Sequence, residues 1–292
     1  MALREAVRSL VINALLVPEC WRSAVVYNPL SARMAQDPYP EYAALRERSP
    51  VHRSRLLNAW VFSRYADVDT VLRDHRRFSN DPAKRNLARR QQAMVPAPYD
   101  YTMLLLDPPD HTRLRALVNK AFTRRAVNAL EPHIRRLMNT LLDAVDPAGF
   151  DLMEAVAYPL PVIVIAEMLG VPAEDRDRFR TWSNRRARLI EPTISPEERA
   201  VAMEAGEALD EYFGPIIQAR RAEPESDIVS ALAQAEEEGD ALTEREMLNM
   251  LRLLLVAGNE TTTNLIGNGM LALLSTFCTC SVASKRAIDN VE

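Results

Sequence analysis

Apolar residues recur at intervals of three and four along most of the chain, which is the spacing of amphipathic helices. The longest such stretch runs from Thr243 to Leu274, and Thr243 and Glu246 form a capping box at its start. Turn-forming sequences separate further predicted helices at 126–145, 152–169, 173–189, 196–222 and 227–238. We interpret the acidic residues 236–238 as the solvated end of the last of these helices. The pattern predicts a mainly α-helical protein.

Two short segments near the N-terminus follow a different pattern. Val51–Arg55 and Ala59–Ser63 fit two short strands joined by a turn. Residues 3–17 place charged side chains among apolar ones, which indicates a short amphipathic helix. The expected fold class is therefore mainly α, with a small β-sheet.

Composition indicates a globular protein. The 292 residues are 48% hydrophobic and 26% charged, which is enough apolar content for a sizeable core. No apolar span is long enough for a transmembrane anchor, and the first segment lacks a small-residue cleavage site. Three cysteines, an odd number, argue against a disulfide framework, so we expect a cytoplasmic protein. A net charge of −4 gives no reason to expect a nucleic acid partner.

The segment Ala257–Thr263 lies inside the longest predicted helix and holds residues that a buried helix normally avoids. Gly258 would let a flat ligand approach the backbone, and threonine hydroxyls can divert helical carbonyls and open a kink. Glu260 could then pass protons through water held in that kink, with Thr261 orienting the last donor. The alternative is a packing glycine beside threonines that bond back to the preceding turn.

A second segment, Asp107–Arg115, begins another predicted helix. Asp107 is suited to cap it, and the prolines that follow are tolerated in a first turn. His111 and Arg115 are four residues apart, so they lie on one helical face, separated by roughly 6 Å along the axis. Two donors on one face suit a pair of carboxylates. The alternative is an exposed helix whose His and Arg are solvated.

Together the two segments resemble the cytochrome P450 family, the haem-thiolate monooxygenases, in its bacterial type. The central helix of that family carries Ala/Gly-Gly-x-Asp/Glu-Thr, which the residues from Ala257 to Thr261 match. The family's His-x-x-x-Arg spacing is matched by His111 and Arg115. Other family-like segments are Asp37–Arg46, Pro50–Val51, Trp60–Val68 and Leu117–Thr123. The resemblance implies the cytochrome P450 fold.

The resemblance also implies a cofactor and a reaction. Haem b is the expected cofactor, and Glu260 and Thr261 are the expected acid and alcohol that deliver protons during oxygen activation. The residues expected to contact haem are His111, Arg115, Ala257, Gly258 and Thr261. The implied reaction inserts one oxygen atom from O2 into a small hydrophobic substrate, with electrons from a ferredoxin- or flavin-type donor. Basic residues expected to face that donor are Arg113, Lys120, Arg124 and Arg125.

Family members also carry a Glu-x-x-Arg helix and a glycine-flanked cysteine loop, whose thiolate binds the iron. Neither pattern follows Leu274, and Cys278 and Cys280 lie beyond Gly269, the last glycine, so no metal ligand is predicted. We expect an N-terminal extension at 1–36, the N-terminal part of a C-terminally truncated cytochrome P450 domain at 37–274, and a non-helical, non-family tail at 275–292 such as a frameshift would produce.

These expectations make the chain a monooxygenase by family that is inactive on its own. The alternative function is a haem-binding or ligand-binding helical protein without oxygen chemistry.

Overall fold

The computed structural model describes residues 2–81, 84, 102–190, 194–237 and 239–289. Most of these residues are in helices, and there are also two short antiparallel strand pairs. The predicted mainly α class with a small β-sheet is therefore confirmed. None of the described helices is both long enough and apolar enough to cross a bilayer. The chain divides into two compact units, Met1–Ser79 and Asn80–Glu292, and each is described by itself.

The first unit contains four helices and one strand pair among its described residues. Its elements are α1 (Ala2–Ser23), α2 (Ala32–Gln36), α3 (Tyr39–Arg48), β1 (Val51–Ser54), β2 (Ala59–Phe62) and α4 (Tyr65–Arg73). The strands are antiparallel, with Val51 opposite Phe62 and Ser54 opposite Ala59. Both the strand pair and the N-terminal helix were expected from the sequence.

A buried carboxylate joins α1 to the strand pair. Glu19 on α1 is 3% exposed, and one of its oxygens accepts the backbone N–H groups of Arg55 and Leu56, in the turn after β1. Its other oxygen lies 3.2 Å from Nε2 of His52 on β1, a residue that is itself 2% exposed. Because a buried carboxylate is costly unless it is hydrogen-bonded, these contacts allow Glu19 to be buried here.

The second unit is a helical bundle. Its helices are α5 (Asp110–Ala121), α6 (Arg124–Asp143), α7 (Pro159–Met168), α8 (Arg176–Ala187), α9 (Pro196–Ala222), α10 (Ile228–Ala233) and α11 (Glu244–Asp289). A short strand pair, β3 (Glu236–Glu237) and β4 (Asp240–Ala241), lies between the last two. The core side chains that are fully buried include Phe179, Leu209, Phe213, Met247, Leu251 and Leu255. They bring α8, α9 and the first half of α11 together.

Local signals in the sequence explain where these helices begin and end. Ser195 caps α9 in a capping box with Glu198, and Thr243 and Glu246 form the predicted box before α11. Gly170, at φ +69°, follows α7, where a left-handed residue ends the helix. A single π-helical turn, Met153–Ala157, precedes α7.

Two predicted helix ends are wrong. The helix expected at 227–238 stops at Ala233, because Glu236–Glu237 pair with Asp240–Ala241 across a turn that contains Gly239 at φ +81°. Residue 238 lies outside the described residues. The tail expected to lose helical structure after Leu274 instead continues α11 to Asp289.

The expected capping role of Asp107 is also wrong. The residue before α5 is Pro109, which makes no side-chain cap. The Asp107 carboxylate instead accepts the backbone N–H of Asn80 at 2.9 Å and the Lys84 ammonium at 2.8 Å. Asp107 therefore ties the segment before α5 to Asn80 and Lys84.

Candidate functional site

The motif on α11 divides into two sides of the helix. Ala257, Glu260 and Thr261 are exposed, whereas Asn259 and Thr263 are buried. The helix is continuous through this segment, so the two sides are two faces of one unbroken helix. The buried side faces neighbouring helices, and the exposed side carries the predicted acid and alcohol.

Gly258 lies against α7. A Cβ atom placed there would stand 3.4 Å from two side-chain carbons of Ile165, which is ordinary van der Waals distance. Gly258 thus packs against α7, as the alternative interpretation of the motif expects, although an alanine side chain would also fit there. Its predicted role in approaching a flat cofactor stays a prediction.

Thr261 also behaves partly as the alternative interpretation expects. Its hydroxyl donates a hydrogen bond to the carbonyl of Ala257, one turn earlier on α11. Because the hydroxyl has a single hydrogen, its oxygen lone pairs remain able to accept a hydrogen bond from water or another donor. The side chain is thus oriented by α11 itself and keeps its accepting side open.

Glu260 faces a cleft of about 650 Å³. The cleft lies between α8, α11 and the turn before α7, and both Glu260 and Asn264 line it, whereas Ala257 and Thr261 do not. Its charged and amide lining residues are Glu154, Arg180, Asn184, Arg185, Arg188, Asn259, Glu260 and Asn264. A polar cleft of this size holds water, which gives the Glu260 carboxylate a medium for proton exchange.

The predicted anion-binding face lies on α5. His111 is partly buried and Arg115 is exposed, and among the described residues neither side chain makes a hydrogen bond or ion pair. Arg113, between them in sequence, is ion-paired with Asp240 at 3.1 Å and with Glu246. Partial burial acts to lower the pKa of Arg113, but its bonds to Glu246 and Asp240 outweigh that effect and raise it.

This contrast bears on the basic residues expected to face an electron donor, and that role stays a prediction. Arg113 was expected to face an electron donor, but it is committed to ion pairs that hold α5 against β4 and the start of α11. Lys120 likewise donates to the carbonyl of Glu236. Arg124 and Arg125 are exposed, so they are the members of that basic group that lie open.

Two side chains on α5, His111 and Arg115, can donate hydrogen bonds and have no partner among the described residues, and they fit the carboxylate groups of haem. A propionate needs hydrogen-bond donors or positive charge that the protein does not already use, and His111 and Arg115 are such groups on one helical face. No described group of three or more His, Cys, Asp and Glu side chains could hold a metal ion. Cys20 is exposed on α1, and the side chains of Cys278 and Cys280 lie outside the described residues.

The structure brings the predicted residues together in two sets and not in one. His111 and Arg115 share α5, and residues 257–261 share α11, but no described contact joins the sets. The bond from Arg113 to Glu246 meets α11 eleven residues before Ala257, a helical rise of about 17 Å. Sequence analysis missed Asn259 and Thr263, whose four-residue spacing places both on one face of α11.

Known proteins resemble the chain over most of its length. A vitamin D(3) 25-hydroxylase from Pseudonocardia autotrophica is 43% identical over 244 residues, which are 82% of this chain and 58% of that protein. The cytochrome P450 monooxygenase PikC from Streptomyces venezuelae is 41% identical over 253 residues, 84% of this chain and 58% of its own length. The chain thus spans somewhat under 60% of these two relatives.

A solved structure shows the same fold. The polyketide synthase cytochrome P450 PksS from Bacillus subtilis 168 superposes with a TM-score of 0.75 at 35% identity, covering 88% of this chain and 64% of that one. The sequence profile of the family described as Cytochrome P450 matches residues 50–276. The chain therefore belongs to the cytochrome P450 family, as its motifs predicted.

Proposed function

We propose that this chain carries the haem-holding and proton-delivering residues of a cytochrome P450 monooxygenase. The reaction would insert one oxygen atom from O2 into a hydrophobic small molecule, with haem b as cofactor and a ferredoxin- or flavin-type protein as electron donor. The observation that carries this proposal is the arrangement of the α11 motif, in which Glu260 lines a polar cleft and Thr261 stands beside it, outside the cleft.

His111 and Arg115 would hold the cofactor through its propionates. Haem, when bound, supplies the redox-active iron at which O2 is reduced. Arg115 carries a permanent charge, and His111 can donate from either ring nitrogen, so together they match an anionic group. The neighbouring Arg113 does not compete for it, because Glu246 and Asp240 already occupy its guanidinium.

Glu260 and Thr261 would move protons toward the reacting centre. The Glu260 carboxylate is exposed to the cleft, so it can exchange protons with water there. Thr261 donates to the Ala257 carbonyl and can accept from a donor on its open side, so it can orient the last water before the reacting centre. Adjacent positions on a helix differ by about 100° of rotation, which places the acid and the alcohol on neighbouring faces of α11.

Names of related proteins support a hydrophobic substrate class. One relative is described as a vitamin D(3) 25-hydroxylase. A solved structure from Bacillus megaterium, 37% identical to this chain, is described as CYP109E1 in complex with testosterone. Relatives named as monooxygenases do not favour the alternative of a helical binding protein without oxygen chemistry.

We also propose that these 292 residues by themselves do not supply a thiolate that would bind the haem iron. The three cysteines lack the glycine-flanked loop that the family uses, because Cys20 has no glycine nearby and Gly269 precedes both Cys278 and Cys280. Purified chain mixed with haem should then show no thiolate-type carbon monoxide difference band. A thiolate band from the unaltered chain would contradict this part of the proposal.

Haem retention through gel filtration tests the anion-binding face. Arg115→Ala and His111→Ala should each weaken haem retention by about tenfold, the typical loss for a charge-assisted hydrogen bond. Arg113→Ala is the matched control on the same helix, because it removes ion pairs within the chain and should reduce stability more than haem retention. Equal loss of haem in all three variants would sink the assignment of His111 and Arg115.

Proton delivery is tested in a chimera in which residues 37–274 replace the corresponding part of the 43% identical relative. Thr261→Ala should uncouple O2 consumption from product formation, and Glu260→Gln should slow turnover by about 10²-fold. Thr262→Ala is the control, because Thr262 is an exposed neighbour in the same threonine run. Full coupling in the Thr261 variant would overturn its proposed role.

A further inference from the structure

Asn259 uses both N–H hydrogens of its side-chain amide inside the second unit. It is 4% exposed, and its Nδ2 lies 3.2 Å from the Ser183 hydroxyl and 3.4 Å from the Asn184 side-chain oxygen, both on α8. Its Oδ1 lies 3.4 Å from the hydroxyl of Thr263. The Ser183 hydroxyl in turn lies 3.5 Å from the carbonyl of Leu255. One amide therefore connects α11 to α8 at the centre of the motif.

Thr263 makes a second directional contact one turn later. It is 3% exposed, and its hydroxyl donates to the Ala157 carbonyl at 2.9 Å, at the end of the π-helical turn before α7. A further turn along, a Cβ placed at Gly267 would come within 2.7 Å of the Met153 sulfur at the start of that π-helical turn. Asn259, Thr263 and Gly267 are spaced by four residues, so a single face of α11 is fitted to α8 and this turn.

We infer that Asn259 and Thr263 are positioning residues that fix the rotation of α11 about its own axis. This inference rests on the proposed function for the roles of Glu260 and Thr261, whose directions the rotation sets. With the bonds of Asn259 to α8 and of Thr263 to Ala157 in place, Glu260 lines the cleft and Ala257 and Thr261 do not.

The physical reason lies in the difference between polar and apolar contacts. Apolar side chains such as Ile165 pack against Gly258 without a preferred direction, so they tolerate a small turn of the helix. A buried amide that loses its partners pays a desolvation penalty, so Asn259 has one favourable orientation. A turn of the helix that broke its bonds to Ser183 and Asn184 would also pull Thr263 away from Ala157.

The three consecutive threonines provide matched controls. Thr261 bonds within α11, Thr262 is exposed, and Thr263 bonds across to another element. A change from threonine to valine removes the hydroxyl and keeps the branched shape. If Thr263 positions the helix, then only its valine variant should alter the cleft.

A distance measurement across the cleft tests the inference in the full chain without haem. Spin labels are attached through Arg185→Cys on α8 and Asn264→Cys on α11, both exposed cleft residues, after Cys20, Cys278 and Cys280 are changed to Ser. The parent, Thr261→Val and Thr262→Val should give one narrow distance distribution under native conditions. Thr263→Val and Asn259→Leu should shift or broaden it by about 3–6 Å, the displacement expected when a helix of this diameter turns.

Denaturant unfolding of the same proteins separates positioning from stability. Thr263→Val should reduce the folding equilibrium constant about tenfold, because the Ala157 carbonyl loses a buried donor. An unchanged distance distribution in the folded Thr263→Val and Asn259→Leu proteins would overturn the inference, even if their stability fell. An equal change in the Thr262→Val protein would overturn it as well.

Two further features keep the test decisive. If Asn259→Leu does not fold, then Ser183→Ala removes a partner of the same amide from the α8 side and should broaden the distribution in the same way. Because no haem or substrate is present, the distance result does not depend on haem retention. A loss of the proposed function would therefore appear in the haem experiments and leave this measurement unaffected.

Discussion

The two halves of α11 have similarly apolar sequences but very different surroundings. In the first half, Met247, Leu251 and Leu255 are 0% exposed and pack in the core with α8 and α9. In the second half, taken as residues 265–289, Leu265 is 72% exposed and Leu271 is 65% exposed. A helical pattern in the sequence therefore predicts that a helix forms. It does not predict which parts of that helix are buried against other described residues.

The exposed half is apolar on more than one side. Leu265, Met270, Leu271, Leu273 and Leu274 are all at least 40% exposed, and their spacing distributes them around the helix. A helix that is apolar all round is normally buried, because exposed apolar area costs about 25 cal/mol per Å². In the part of the chain that the structure describes, tertiary packing holds the first half of α11. Apart from the close approach of Gly267 to Met153, the second half is held mainly by its own backbone hydrogen bonds.

The strongest test of this difference is a matched pair of leucine truncations. Leu251→Ala should lower the free energy of unfolding by about 2–5 kcal/mol, because it opens a cavity in the core. Leu271→Ala should change it by less than about 0.5 kcal/mol. Urea unfolding followed by circular dichroism measures both. Similar losses in the two variants would show that the second half is covered in solution.

A smaller effect is expected from a residue that supports the buried half. Asp227 caps α10, which contacts α11, and its carboxylate accepts the Ser230 N–H at 2.7 Å and pairs with Arg220 at 2.7 Å. Asp227→Ala should lower the free energy of unfolding by about 1 kcal/mol, as is typical for a lost cap. Urea unfolding at neutral pH gives this value, with Asp177→Ala, which changes a highly exposed acid, as the control.

The same residue predicts a dependence on pH. Burial alone would raise the pKa of Asp227, but its bonds to Arg220 and Ser230 lower it overall. A carboxyl whose pKa is lower in the folded state stabilises the protein above its unfolded pKa, which is about 3.9, and loses that contribution as pH falls through the folded value. Unfolding measured from pH 6 to pH 2 should therefore show a shallower acid loss in Asp227→Ala than in the parent. Equal slopes would contradict the assignment.

The smallest expected effect on stability concerns the exposed half. Leu271→Lys with Leu274→Lys should change the free energy of unfolding by less than about 0.5 kcal/mol, because both side chains are more than half exposed. The double variant should nevertheless reduce self-association, since large exposed apolar patches promote it. Sedimentation at several concentrations measures this. Unchanged self-association would show that this surface is not the one that associates.

Most of the fold was predictable because its signals are local. The range of α9 and the capping box of α11 follow from Ser195, Pro196 and Thr243, whose effects extend only a few residues. The helix expected at 227–238 failed at its second half, because Gly239 and the pairing of β3 with β4 outweighed the local pattern. Pairing between segments depends on tertiary context, which local propensity does not report.

The candidate site was predictable in its residue types but not in its contacts. Arg113 and Arg115 look alike in the sequence. In the structure, Arg113 forms ion pairs with Glu246 and Asp240, whereas Arg115 forms none with the described residues. Thr261 and Thr263 likewise look alike, but one bonds within α11 and the other bonds to Ala157. The roles toward haem and proton delivery stay predictions for all the residues assigned to them, namely Glu260, Thr261, His111, Arg115, Ala257 and Gly258.

The contact between Glu19 and the turn after β1 has a practical consequence for protein engineering. A shortened protein that omits α1 would leave His52 and the amides of Arg55 and Leu56 without their carboxylate acceptor. Although the family profile begins only at residue 50, trimming the chain to that boundary would remove part of the first unit's interior, so soluble expression should favour versions that keep residues 2–23.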